Sequence, residues 1–276
     1  LNPMGPAWHL SRTRFESMLV GGAERAGATI HRCTRFVDAR PEVDGIEVDL
    51  RHDGETFSIR ARWVIDATGG PARLARRLGA TLTVLDRMVA VARFADLSAG
   101  DLSSQTLLEA VADGWWYAAR LPEDRVVTVL VTEPDRAKAL AADDHEPWRA
   151  ELKKTELLGP RLAECELRNE AFHTFPVVSS KLDPVEGERW LAIGDAASSF
   201  DPIAAQGIHK ALGDAEDAAR RVSAALGQGP APPWRYADRV RERLDDYLAN
   251  REYLYGLERR WPESEFWRRR REASAP

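Results

Sequence analysis

A short apolar run that stops at a glycine–aspartate pair, crosses a small-residue loop and restarts as an amphipathic helix limits this chain more than any other stretch. It is Arg189 to Leu226, RWLAIGDAASSFDPIAAQGIHKALGDAEDAARRVSAAL. Trp190 to Ile193 reads as a strand, Gly194-Asp195 as a tight turn, and Pro202 sits in the loop. From Gly207 the apolar positions Ile208, Leu212, Ala215, Ala219, Val222 and Leu226 alternate steps of four and three, which predicts them as one buried helical face ending at Gly227. The first turn of such a helix leaves backbone N–H groups without intrahelical acceptors. They favour an electron-rich or anionic group in the crevice beside the strand.

The rest of the chain supplies elements around that junction. Thr13 and Glu16 have capping-box spacing, and Phe15, Met18, Leu19 and Ala23 predict a helix over Arg14 to Ala26 with one buried face, closed by Gly27. Thr29 to Val37, Ile46 to Leu50 and Thr56 to Ala61 read as strands of an antiparallel meander, with His52-Asp53-Gly54 as a hairpin turn. WVIDATGG, Trp63 to Gly70, is a second strand-to-glycine junction. Its apolar run predicts burial on both faces, as in a parallel sheet. Leu74 and Leu78 mark a short helix before Gly79. Two such junctions put crevices at the carboxyl ends of strands, where open α/β sheets bind ligands.

Between the junctions Met88 to Phe94, Thr106 to Ala110, Trp115 to Leu121 and Val126 to Thr132 are strand-like, with Pro122-Glu123-Asp124 as a turn. Arg136 to Leu162 is helical by composition, broken at Pro147 and Pro160, and Ala171 to Ser179 reads as a further strand. Gln228 to Pro233 is a proline-rich linker. Tyr236, Val240, Leu244, Tyr247, Leu248, Tyr253 and Leu257 form a helical stripe, and Arg268 to Pro276 a polar tail whose arginines are expected in solvent.

Composition excludes several classes. With 44% hydrophobic and 30% charged residues over 276 positions the chain is an ordinary globular protein, and a net charge of −5 gives no nucleic-acid surface. Cys33 and Cys165 make neither a disulfide framework nor a metal site, so a reducing cytoplasm is expected. No apolar run is long enough to span a bilayer.

Candidate residues follow from the junctions. Gly194-Asp195 alone suits any turn; its fixed distance from Pro202, Gln206, Gly207 and the helix favours a carboxylate that accepts hydrogen bonds from a polyol. Thr68 and Gly69 either admit a ligand close to the backbone or simply end a strand. Arg12 is equally a solvated arginine or an oxyanion contact. Trp115, Trp116 and Tyr117 offer a flat pocket, and because strand residues alternate faces at most two of them share a side. His173 and His209 receive no catalytic role.

These stretches resemble a known family. WVIDATGG and WLAIGDAASSFDPIAAQGIHKAL look like the second and third flavin-contacting motifs of FAD-dependent monooxygenases of the aromatic hydroxylase type. The DP…GIH spelling is closer to the flavin-dependent halogenase-like branch. DGWWYAARLP is similar to that branch's substrate domain, particularly in flavoproteins that mature peptide-derived quinone cofactors. The resemblance implies an α/β fold in which a partial FAD-binding, Rossmann-like domain of the glutathione-reductase type (1–80, returning at 186–228) carries an inserted β-sheet substrate domain (81–185) and a C-terminal helical region (229–276). Asp195 would then hold the ribityl chain, Pro202 lie near the isoalloxazine, and Gln206, Gly207 and Ile208 present N–H groups to its N1/O2 edge. Arg12 would reach the phosphate or ribityl side, and Thr68 and Gly69 belong to the second motif. Trp115 and Tyr117 would line the pocket of an aromatic or peptide-borne aromatic substrate, with NAD(P)H or a flavin reductase as electron source.

One departure stands out: the chain contains no G-x-G-x-x-G cradle for the ADP half of FAD. The expectation is therefore an N-terminally truncated flavoprotein that by itself binds FAD weakly or not at all. Two alternatives remain at this point, a non-catalytic binding protein derived from such a flavoprotein and a flavin-dependent isoprenoid reductase.

Overall fold

The computed structural model describes residues 9–100, 102, 105–140 and 146–272. Helix α1 (Arg12–Arg25) precedes strands β1 (Arg35–Glu42), β2 (Gly45–His52), β3 (Glu55–Ala61) and β4 (Val64–Asp66), helix α2 (Arg73–Arg77) and the long strand β5 (Thr81–Ala99). Strands β6 (Leu107–Val111), β7 (Gly114–Leu121) and β8 (Arg125–Thr132) lead to helices α3 (Pro134–Leu140), α4 (Glu146–Lys153) and α5 (Leu158–Ala163). Next come β9 (Glu166–Asp183), β10 (Glu186–Gly187), β11 (Trp190–Ala192) and β12 (Ser198–Ser199), with single 3-10 turns at Gly194–Ala196 and Pro202–Ala204. Helices α6 (Gly207–Ala225), α7 (Tyr236–Leu257) and α8 (Glu265–Glu272) close the chain. The result is a mixed α/β fold.

Contacts divide the chain into two units, Leu1–Ile30 with Met88–Pro176 and Glu258–Arg270, and His31–Arg87 with Val177–Leu257 and Arg271–Pro276. The first is built on the antiparallel strands β5-β8-β7-β6. Its core gathers Val91, Trp116 and Leu130 with Trp148, Leu152 and Leu158 from the helices. Trp116 meets Trp148 edge-on at 4.9 Å, a favoured aromatic geometry. The Glu109 carboxylate on β6 accepts the N–H groups of Glu156, Leu157 and Leu158 at 2.6–3.0 Å and so caps α5. The second unit holds the antiparallel meander β1-β2-β3 and the sheet β10-β11-β4. Its core joins Ile46, Val48, Leu74 and Leu191 to Ala218 and Tyr236. The Asp53-Gly54 turn has positive φ at both residues, the primed geometry that hairpins favour.

Several expectations are corrected. The capping box does not form, because the Glu16 carboxylate accepts the Arg12 guanidinium at 2.6 Å and the N-cap Ser11 makes no side-chain bond. Helix α1 buries none of its residues. The strand expected from Thr29 begins only at Arg35, since Cys33 takes a left-handed φ that extended chain cannot hold. Among the described residues strand β4 pairs with β11 alone; Ile65 stays 40% exposed and, of the strand's three residues, Asp66 is the fully buried one. The helical stretch is divided at Pro147 and Pro160 as expected, each proline standing just inside the start of a new helix. They occupy the first turns of α4 and α5, where a missing N–H costs nothing.

The helical faces differ most. The buried side of α6 is Lys210, Asp214, Asp217 and Ala218, whereas Leu212, Ala215 and Ala219 are exposed. On α7 the buried set is Tyr236, Val240, Tyr247, Arg251 and Tyr255, with Tyr253 and Leu257 in solvent. Arg270 on α8 is buried and pairs with Glu133 at 2.8 Å, so it is not a solvated helix end. In each case a charge finds a partner on a remote element, which periodicity does not register. The last residues of the expected polar tail, 273–276, and 141–145 of the expected helical stretch lie outside the described residues. Among the described residues no helix is long and apolar enough to cross a membrane.

Candidate functional site

The two strand-to-glycine junctions lie side by side. Strand β11 runs parallel to β4 with Ala192 opposite Asp66, and the Ile193 N–H donates to the Asp66 carbonyl at 2.9 Å. The buried Asp66 carboxylate accepts the N–H groups of Thr68 and Ala75, both at 2.8 Å, and fixes the turn that follows. Thr68 Oγ1 accepts from Arg73 N at 2.8 Å at the start of α2, and Gly69 takes the positive φ that reverses the chain. These bonds commit the Thr68 hydroxyl oxygen as an acceptor inside its own turn.

At the second junction Gly194 is buried at φ +56°, while the next residue, Asp195, is exposed. Both polar atoms of the Gly194 main chain are held by α6. Its N–H donates to Asp214 Oδ2 at 3.0 Å, and its carbonyl accepts from Lys210 Nζ at 2.6 Å. Lys210 and Asp214 are themselves 3.3 Å apart, with side chains 3% and 0% exposed. From α7, Arg243 donates to Asp214 Oδ1 at 2.8 Å and also bonds Asp217. Burial pushes the Lys210 ammonium below its ordinary pKa, against the opposing pull of Asp214 and Asp195.

The loop that leads to α6 is fastened from α7. Asp201, buried, accepts Ile203 N–H at 3.1 Å and Arg251 Nε at 2.9 Å, and Arg251 also reaches Asp86. The Tyr247 hydroxyl accepts the Asp201 N–H at 3.0 Å and hydrogen-bonds Ser179 Oγ at 2.8 Å. Its ring stacks on Phe200 with centroids 3.9 Å apart, and Lys210 Nζ lies 5.0 Å from the Phe200 centroid. Pro202 is exposed beyond this anchor, and Gln206 makes no side-chain cap at the start of α6. Gly207 is exposed and has no atom within 4 Å of a Cβ placed there.

An exposed carboxylate on a clamped turn next to an open helix N-terminus offers acceptors for hydroxyls and donors for an electron-rich ring edge. That donor and acceptor set fits the ribityl chain and ring of a flavin. Ser180 and Ser198, buried on paired strands, keep hydroxyls with no hydrogen-bond partner among the described residues. Burial, and then the Asp201 charge, push the Tyr247 phenol up to about 12. A free tyrosine ionises near pH 10. The folded state therefore favours the protonated phenol, and its contribution is full below about pH 10 and lost as pH rises toward about 12. We expect wild-type protein to lose roughly 2–3 kcal/mol across that window through this group. Urea denaturation between these pH values is expected to show a shallower alkaline fall for Tyr247→Phe.

Sequence reasoning placed other residues elsewhere. Arg12 is in the first turn of α1, not ahead of it, and is exposed with its guanidinium on Glu16. It belongs to the first unit, as do Trp115 and Tyr117. On β7, Trp116 points into the helix-covered core, and Trp115 and Tyr117 share the opposite face by alternation. Trp115 is buried and Tyr117 half-buried, with its phenol pKa raised by burial. His209 is exposed, and His173 packs between Phe94 and Phe175. Lys210, Asp214, Arg243, Asp201 and Arg251 went unnoticed. The one trace of Lys210 and Asp214 is an i,i+4 spacing that also describes the exposed pair Glu216 and Arg220.

Comparison with known proteins gives the family and the fold. A family model described as FAD binding domain matches residues 4–249. LodB of Marinomonas mediterranea, assigned as an FAD-dependent oxidoreductase, is 25% identical over 273 residues, 98% of this chain and 73% of LodB. The flavin-dependent halogenase CmlS superposes with a TM-score of 0.83 at 24% identity, over 98% of this chain and 51% of its own. The peptidyl tryptophan dihydroxylase QhpG, essential for tryptophylquinone cofactor biogenesis, gives 0.70 at 23% identity, over 95% of this chain and 59% of its own. At such identities the two structures speak to the fold alone, and the chain spans only about half to three fifths of their length.

Proposed function

The chain belongs to the FAD binding domain family, and from that premise we propose that it holds the isoalloxazine and ribityl part of FAD in an oxygenase acting on an aromatic or peptide-borne aromatic substrate. The observation that carries this reading is the exposed Asp195 carboxylate on a turn locked to the open N-terminus of α6. Asp195 accepts ribityl hydroxyls. Gln206, Gly207 and Ile208 direct N–H groups at the N1/O2 edge and favour negative charge there. Pro202 packs beside the ring, and Thr68 and Gly69 let the cofactor approach the neighbouring junction. The redox chemistry, with electrons taken from NAD(P)H or a flavin reductase and passed to oxygen, belongs to the flavin.

Residues 1–80 and 186–228 serve the cofactor on this reading, 81–185 the substrate, and 229–276 the closing helices. Trp115 and Tyr117, on one face of β7, line the aromatic pocket. Support comes from the activities of similar proteins, an FAD-dependent oxidoreductase and a peptidyl tryptophan dihydroxylase among them. The test supplies the chain with FAD, a reducing system, oxygen, bromide and a tryptophan-containing peptide. Flavin-dependent mass gain of an oxygen or a halogen on the indole, lost in Asp195→Ala, is the expected result. Flavin binding with no product overturns the oxygenase reading in favour of a binding protein.

A further inference from the structure

We infer that Lys210 is a positioning residue: together with Asp214 it holds both polar atoms of Gly194 against α6, so that the Asp195 carboxylate and the helix N–H groups are presented as one preset unit. The inference rests on the flavin reading for its purpose but not for its geometry. A lysine buried to 3% exposure is costly, and an apolar side chain of similar volume would fill the space more cheaply. Charge balance alone does not account for it, because Arg243 already reaches Asp214 at 2.8 Å from α7. What Lys210 adds is a donor from α6, at 2.6 Å, to a Gly194 carbonyl whose other bond, from the Ala197 N–H at 3.0 Å, lies within the turn itself.

That carbonyl is turned into the protein by the left-handed conformation of Gly194. Without the ammonium the carbonyl keeps only the Ala197 N–H at 3.0 Å, a bond inside its own turn, and its tie to α6 is lost. A Gly194 peptide no longer tied to α6 through its carbonyl can tilt within the turn, and any such tilt re-aims Asp195, the next residue. The ammonium also sits 5.0 Å from the centroid of Phe200, which is stacked on Tyr247, so the same side chain meets the loop that precedes α6. Asp214, one helical turn further on, holds the N–H of the same residue at 3.0 Å. The charged groups around Lys210 are Asp214 on α6, Asp195 on the turn and Arg243 on α7.

The experiment compares the full chain with Lys210→Met and with Lys210→Met/Asp214→Asn, the second variant removing one positive and one negative charge while leaving an amide oxygen for the Gly194 N–H. Amide hydrogen exchange of the 193–199 segment is read without ligand, and flavin affinity by fluorescence titration with FAD. Lys210→Met is expected to speed exchange in 193–199 roughly tenfold while leaving 190–192 unchanged, and to weaken FAD by a similar factor. The double variant recovers thermal stability but not the slow exchange. Exchange in 193–199 that is unchanged in both variants, or that rises equally along the whole chain, overturns the inference. A wild-type chain that exchanges as expected yet fails to bind FAD contradicts the flavin reading and leaves the positioning role standing.

Discussion

Asp214→Ala is expected to destabilise the folded chain by about 3–5 kcal/mol, the cost of breaking a buried ion pair on one side only. The alanine strands Lys210 in the interior, removes the acceptor of the Gly194 N–H and takes one of two carboxylates from Arg243. Lys210 and Gly194 are buried, so neither the ammonium nor the Gly194 N–H reaches water without opening α6 from the turn. Thermal denaturation is the check. A midpoint lowered by on the order of 10 °C is expected, and a shift within about 2 °C would show that the cluster carries no such weight. Replacing Asp217 is a useful contrast, because Arg243 keeps Asp214 and no main-chain donor is orphaned. That substitution should cost markedly less.

Asp195→Ala should do the reverse. The side chain is exposed and, among the described residues, no hydrogen bond anchors the fold through it, so stability is expected to change by less than about 0.5 kcal/mol. Flavin affinity is expected to fall roughly 10- to 100-fold, the value of a charge-assisted hydrogen bond to the ribityl hydroxyls. The pair of substitutions thus separates the groups that build the turn from the group the turn displays. Equal stability losses for the two would contradict that division.

What the sequence disclosed and what it hid divide along physical lines. The meander with its Asp53-Gly54 turn, the 3-10 break at Gly194, the start of α6 at Gly207 and the irregular linker after Gly227 rest on local chemistry. Turn residues, glycine and proline act within a few positions of themselves, so those features were legible. The alternation of β7 was legible for the same reason, and it correctly set Trp116 apart from Trp115 and Tyr117. The face of α6 was not. Its apolar ladder of Leu212, Ala215 and Ala219 points to solvent, because Asp214 and Asp217 are drawn inward by Arg243 and Lys210 by the Gly194 carbonyl. On α7, Arg251 is buried for an equally remote reason, its bonds to Asp201 and Asp86. The capping box at Thr13 failed to an ion pair one turn long, Arg12 with Glu16. Charges that find partners across the fold leave little trace in a linear pattern, and here they form the frame of the candidate site.

The most direct measurement of the central claim is a competition titration of the purified chain with FAD, FMN and ADP. If the Gly194–Asp195 turn and the α6 N-terminus bind the ring and ribityl chain, FMN and FAD bind with affinities within roughly one order of magnitude of each other, and ADP displaces neither. Asp195→Ala then weakens both flavins in parallel. Displacement of FAD by ADP, or flavin binding indifferent to Asp195→Ala, would contradict it.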